Sequence, residues 1–230
     1  MGPEIELFED AFAKKVDSKY CISSSSGTDA LLSIFMALDF EPGSEILVPS
    51  FTFIASASSI IRAGLKPVFV DLAPNSFHPS YDTLKDAWTK NTKGVLFVHL
   101  FGEPEGLSEV KKLCDERDAV LIEDCAQSYG STAGQVGLAS AYSFFPAKNL
   151  GCLGDGGAVT TNDLDIAEKI KTIRTHGSKK KYNYEVLGGN FRMDTIQAGF
   201  LNVLLEGAGS WIEKRRENAA YYNNHLSGIE

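Results

Sequence analysis

From Lys19 onward, short apolar runs alternate with stretches of helical spacing, and this alternation is what most narrows the folds open to the chain. The strand candidates are residues 20–22, 45–48, 67–71, 94–99, 119–124, 141–145 and 157–160. Several are apolar without alternation, as strands buried on both faces are. Between them, residues 29–38 place Ala30, Leu31, Ile34, Phe35 and Leu38 on one helical face, and residues 107–117 and 166–174 show similar spacing. The expectation is an α/β fold, an α/β/α three-layer structure on a mostly parallel seven-stranded sheet.

After Thr175 the pattern changes. The segment THGSKKKYNYEVLGGN is polar, basic and glycine-containing, and reads as a long excursion rather than a strand or helix. Beyond it, residues 193–205 and 211–226 read as helices, interrupted at Glu206-Gly-Ala-Gly-Ser210. No internal repeat is present.

Composition bounds the partners. With 22 Lys+Arg against 30 Asp+Glu, the formal charge of -8 offers no basic field for a phosphate backbone, which argues against nucleic acid. Apolar runs such as residues 95–100 are too short to span a bilayer, and MGPEIELFED lacks the regions of a secretory signal, so the expected location is cytoplasmic. Cys21, Cys114, Cys125 and Cys152 form no CxxC pair, which predicts buried free thiols rather than disulfides or structural zinc. No metal site is expected.

Three segments carry candidate chemistry. In SSSSGTDALL, a strand end opens a helix: Gly27 permits close backbone approach, Thr28 adds a hydroxyl, and the unpaired first-turn N–H groups suit a phosphate. Read alone, it is better explained as a helix cap at Ser26 or Thr28, since short glycine motifs are weak signals. In VLIEDCAQSYGS, Asp124 ends a strand where open α/β sheets bind ligands and could pair with a protonated ligand nitrogen, with Gln127 three residues on. A plain strand-end Asp capping a turn is the alternative. In SAYSFFPAKNLGCLGDGGAVTT, Lys148 lies between aromatic and glycine flanks, where desolvation would make its amine a nucleophile for a Schiff base; Ser143 could share an anion. Phosphate cradle, carboxylate and amine are together the protein groups that pyridoxal phosphate requires.

SSGTDAL, VPSFTFIASA, PVFVDL, IEDCAQSYGS, SFFPAKNLGCLGDGGAV and GGNFRMDTIQAGFL, in this order, resemble the nucleotide-sugar aminotransferases of the DegT/StrS type, within fold type I of the pyridoxal-phosphate enzymes. The resemblance implies roles for individual residues. Lys148 would form the Schiff base and move the proton. Asp124 would pair with the pyridine nitrogen, and Gln127 would lie near the ring hydroxyl. Gly27, Thr28 and Ser143 would bind the phosphate. Phe53 would stack on the pyridine ring, its alternative being a core residue. Asn190 would reach the cofactor of a neighbouring subunit, making a homodimer with a shared site. The implied reaction moves an amino group, typically from L-glutamate, to a keto group of a nucleotide-diphosphate sugar, for cell-surface polysaccharide, lipopolysaccharide or related amino-sugar biosynthesis.

Lys179, Lys180, Lys181, Tyr182 and Tyr184 could help hold the diphosphate or sugar, or form a solvated basic loop. His99 and Phe101 are expected at a strand end facing the same crevice; where the family often reads HLYGQP, this chain has HLFGEP, which alters possible substrate contacts at Phe101 and Glu103. Family members usually begin earlier and continue into a C-terminal small domain. Residues 1–205 are therefore expected to form the cofactor domain and 206–230 a connecting helix toward that small domain. Two other readings stand beside the aminotransferase. One is a ketosugar dehydratase, disfavoured because that branch replaces the Schiff-base lysine, present here as Lys148, with histidine. The other is a catalytically inactive, cofactor-binding or regulatory member.

Overall fold

The computed structural model describes residues 2–102, 104–180 and 182–228. Chain order runs α1 (Pro3–Lys15), β1 (Tyr20–Ser24), α2 (Gly27–Leu38), β2 (Glu45–Pro49), α3 (Ile54–Arg62), β3 (Lys66–Val70), α4 (Tyr81–Ala87) and β4 (Thr92–Val98). It continues through α5 (Leu107–Glu116), β5 (Val120–Asp124), β6 (Ala139–Ser143), β7 (Gly157–Thr161), α6 (Leu164–Arg174), β8 (Ser178–Lys180), β9 (Asn183–Tyr184) and α7 (Thr195–Leu226).

Seven strands form one sheet in the order β1-β7-β6-β5-β4-β2-β3. Only β7 runs against its neighbours, pairing antiparallel with β1 and β6. Every other pair is parallel, so β1, β4, β5 and β6 end at one edge of the sheet. Crossover helices must then cover both faces. On one face, α2 and α6 bury Leu31, Ile34, Ile170 and Ile173 with Ile22, Val48, Ile122 and Val159. On the other, α1 and α7 enclose an aromatic core in which Phe12 meets Tyr142 and Phe144 edge-on at 5.1 Å, while Leu113 of α5 joins Val95 and Phe97. Each fully buried phenylalanine stabilises the fold by roughly 1.5–3 kcal/mol.

All seven expected strands of this sheet are present, and the three-layer α/β/α architecture is that of the sequence reading. Residues 141–145, however, are displaced by two. The pairing of Ala139 with Ile122 and Ser143 with Gly157 fixes β6 at 139–143 and leaves Phe145 in the following turn. All four cysteines are buried free thiols. No helix of the described residues is long and apolar enough to cross a membrane.

Two expectations are corrected. The segment after Thr175 contains a two-stranded hairpin, pairing Ser178 with Tyr184 and Lys180 with Asn183. Both strands are largely solvent-facing and polar, so they carry no apolar alternation for the sequence to display. The expected interruption at Glu206–Ser210 is absent, because α7 is one 32-residue helix. Ala198, Leu201, Leu205 and Ala208 bury one stripe straight through that segment beside α1. Each interior glycine costs about 1 kcal/mol, less than a buried leucine returns.

Candidate active site

Ser26 is extended and accepts the Asp29 N–H on its hydroxyl at 3.0 Å, so the capping reading of the serine run is correct. The cap does not use up the helix end. The N–H groups of Gly27 and Thr28 have no protein acceptor among the described residues, and both residues line, at the positive end of the helix dipole, the cavity that Ser143 also lines. A Cβ on Gly27 would lie 2.8 Å from that of Ser143, so glycine is what brings helix and strand end together.

Asp124 ends β5 and is buried. Its Oδ2 accepts from the Ser56 hydroxyl at 2.8 Å and its Oδ1 from the Ala126 N–H at 3.1 Å. Ser56 is in turn 2.8 Å from the Thr52 hydroxyl. Burial pushes the Asp124 carboxyl above the usual aspartate range, although these bonds and the nearby Lys148 and His99 draw it back.

Lys148 lies in the turn after β6, held by its N–H on the Phe145 carbonyl at 2.8 Å. That turn is tight: a Cβ on Gly151 would lie 2.7 Å from the Pro146 carbonyl oxygen. Desolvation lowers the Lys148 ammonium below the ordinary lysine range, with Asp124 opposing the shift. The shift is in the direction that eases loss of the proton before attack on a carbonyl.

These groups share one cavity of about 560 Å³ at the strand-end edge of the sheet. Gly27, Thr28 and Ser143 line it together with Phe53, Asp124, Gln127 and Lys148. Phe53 is 72% exposed at the entry to α3, which removes the core-residue alternative. His99 lines the cavity as expected, while Phe101 points outward and meets Phe77 edge-on at 5.1 Å. Glu103 and Lys181 lie outside the described residues.

Asn190 is not among the lining residues; it is exposed and bridges to Thr175. Lys179, Lys180, Tyr182 and Tyr184 do not line this cavity either, and Lys179 pairs with Glu185 at 3.4 Å. Sequence reasoning missed Thr52, Ser56 and Asp155. Asp155 lies inside the glycine segment already singled out, whereas Ser56 meets Asp124 across 68 residues and had no local signal.

The cavity therefore offers an anion cradle, a buried carboxylate and a partly desolvated amine. The sequence model of the DegT/DnrJ/EryC1/StrS aminotransferase family matches residues 1–230. The chain belongs to this family. Among curated members, it is 40% identical to the pleiotropic regulatory protein of Geobacillus stearothermophilus, over 98% of this chain and 62% of that protein. It is 39% identical to the dTDP-3-amino-3,4,6-trideoxy-alpha-D-glucose transaminase of Streptomyces venezuelae, over 100% of this chain and 62% of that protein. The crystal structure of NtdA from Bacillus subtilis with bound cofactor PMP superposes with a TM-score of 0.95 at 30% identity, covering 100% of this chain and 54% of that one. The chain thus spans 62% of the length of these two curated relatives.

Proposed function

We propose that the chain forms the pyridoxal-phosphate site of an aminotransferase that moves an amino group, from L-glutamate, to a keto group of a nucleotide-diphosphate sugar. The observation that carries this reading is the convergence of Lys148, Asp124 and the unpartnered N–H groups of Gly27 and Thr28 on one cavity. The fit to the cofactor is physical. The Gly27 cradle, which a single Cβ would fill, leaves two N–H donors and the Ser143 hydroxyl for the phosphate. Asp124 offers the ring nitrogen a buried carboxylate, and Phe53 an exposed aromatic face.

Bound pyridoxal phosphate supplies an aldehyde for amines and a ring that draws off electrons when its nitrogen is protonated. Ser56, itself hydrogen-bonded to Thr52, holds Oδ2 of the Asp124 carboxylate, which would pair with that nitrogen. Gln127, which lines the same cavity, would orient the ring hydroxyl. Lys148 would anchor the cofactor through its amine and, when free, would take up and return the proton that moves during amino transfer.

The transaminase name of the Streptomyces relative supports the substrate class. Products of this kind would serve cell-surface polysaccharide, including lipopolysaccharide, or related amino sugars made in the cytoplasm. Lys148 speaks against the dehydratase reading. The Geobacillus regulatory protein keeps an inactive, cofactor-binding reading open to test. A homodimer in which Asn190 reaches the partner's phosphate completes the proposal; its exposure outside the chain's own cavity suits that role.

The test adds pyridoxal phosphate to the purified chain and records the visible band, then adds L-glutamate. The expected result is a band that is absent in Lys148→Ala and bleached by glutamate. A band of equal strength in Lys148→Ala sinks the site assignment. A band that no amino donor bleaches favours the inactive reading.

A further inference from the structure

Glu123 and Asp124 are consecutive on β5, so their side chains leave opposite faces of the strand. Asp124 lines the cavity, whereas Glu123 is wholly buried away from solvent. Glu123 nevertheless takes four hydrogen bonds. The N–H groups of Gly134, Val136 and Gly137 donate at 2.8, 2.8 and 2.5 Å, and His99 Nε2 lies 2.6 Å from Oε2. Burial pushes this carboxyl up, but His99 and the backbone donors outweigh it and hold Glu123 below the usual glutamate range.

An ionised carboxylate only accepts, so the proton of the His99–Glu123 contact sits on Nε2. His99 is fixed at further points. Its backbone N–H donates to the Asp124 carbonyl at 3.0 Å, and its ring leans on Phe97 with centroids 5.0 Å apart. One histidine therefore grips both consecutive acids, Glu123 by its ring and Asp124 by its main chain, while lining the cavity. Among the described residues, Lys148, Asp155 and His99 are the other charged or titratable groups on that cavity, and Cys125 lies close to His99 and Glu123. The ligand atoms of His99, Glu123 and Cys125 lie within 4.8 Å of one another, but the four donors occupy the Glu123 oxygens and make this a hydrogen-bonded knot rather than a cation cage.

We propose that Glu123 and His99 are a positioning pair for Asp124, holding its carboxylate in place against the cavity for a protonated ring nitrogen. Three backbone donors would suffice to tie the β5–β6 connection to the strand. The His99 contact adds something the turn does not need, a rigid link from that connection to the strand end that carries the site. The inference rests on the cofactor reading above, in which Asp124 meets the ring.

The test loads the purified chain with pyridoxal phosphate and follows its visible band from about pH 5 to about pH 9. It compares the unaltered protein with Glu123→Gln, His99→Gln and Ser140→Ala. Ser140 donates to the Gly134 carbonyl at 3.1 Å, so its removal loosens the same connection without breaking the His99–Glu123 contact. Positioning requires that Glu123→Gln and His99→Gln each move the midpoint of the spectral titration by roughly half a unit or more and weaken cofactor retention roughly tenfold. Ser140→Ala should lower thermal stability and leave the midpoint in place. Unmoved midpoints in both site variants overturn the proposal.

If both variants fail to fold, nitrogen NMR of the unaltered protein decides: the His99 ring resonances must shift on loading with pyridoxal phosphate, and resonances that do not shift overturn the proposal. An unaltered protein that forms no band overturns the cofactor reading itself, and this inference falls with it.

Discussion

The Ser56 hydroxyl donates a 2.8 Å hydrogen bond to Oδ2 of Asp124, linking the first turns of α3 to the end of β5 beneath the cavity. Removing it leaves a buried carboxylate with one fewer donor, a loss of roughly 1.5–3 kcal/mol for a bond to a charged group. Ser56→Ala should therefore retain pyridoxal phosphate at least roughly tenfold less well on equilibrium dialysis. Retention equal to that of the parent would show that Asp124 needs no such support.

Asp124 also makes a prediction about pH. Burial raises its carboxyl in the folded chain above the unfolded value, so the folded state binds that proton more tightly. Stability then falls as pH rises from the unfolded value through the folded one, and the deficit persists above it. Each tenfold difference in proton affinity is about 1.4 kcal/mol. Without cofactor at neutral pH, Asp124→Asn should melt higher than the parent, the gap closing in acid, while losing cofactor retention. A lower melting temperature at neutral pH would contradict this.

Gly27 tests the cradle. A Cβ there would lie 2.8 Å from the Ser143 Cβ, so Gly27→Ala must push α2 and β6 apart. The expected outcome is weaker binding of pyridoxal phosphate with a smaller effect on pyridoxal, which lacks the phosphate. Equal losses for both ligands would move the anion site elsewhere.

Gly157 is more constrained still, because its Cβ would lie 2.4 Å from the Ser26 carbonyl. Gly157→Ala should destabilise the chain by more than about 2 kcal/mol in urea titration, since backbone rather than a mobile side chain must yield.

Gly209 predicts the opposite sign. It is exposed within α7, and a Cβ would meet nothing closer than the Lys15 amine at 4.0 Å. Gly209→Ala should stabilise the chain by about 0.5–1 kcal/mol through helix propensity. A neutral or negative result would mean that α7 is not continuous at this point in solution.

Lys148, Gly27 and Asp124 could be read from the chain because each carries its context within a few residues. A glycine-bounded turn presents the lysine, a serine cap opens a helix at the glycine, and a strand end displays the carboxylate. The inner parallel strands β2, β4 and β5 were legible for the same reason, since burial on both faces writes a largely apolar run. The hairpin of β8 and β9 was not, because two exposed polar strands have no such run, and the glycines of α7 imitated a break that Leu205 and Ala208 override by packing. Ser56 and Asp124 stand 68 positions apart, and His99 and Glu123 stand 24 apart. Their meeting depends on β4 pairing with β5 and on where α3 packs relative to the end of β5, matters of tertiary arrangement that no local pattern encodes. Local chemistry thus names the groups that could hold a cofactor, whereas long-range packing decides which neighbours orient and charge them.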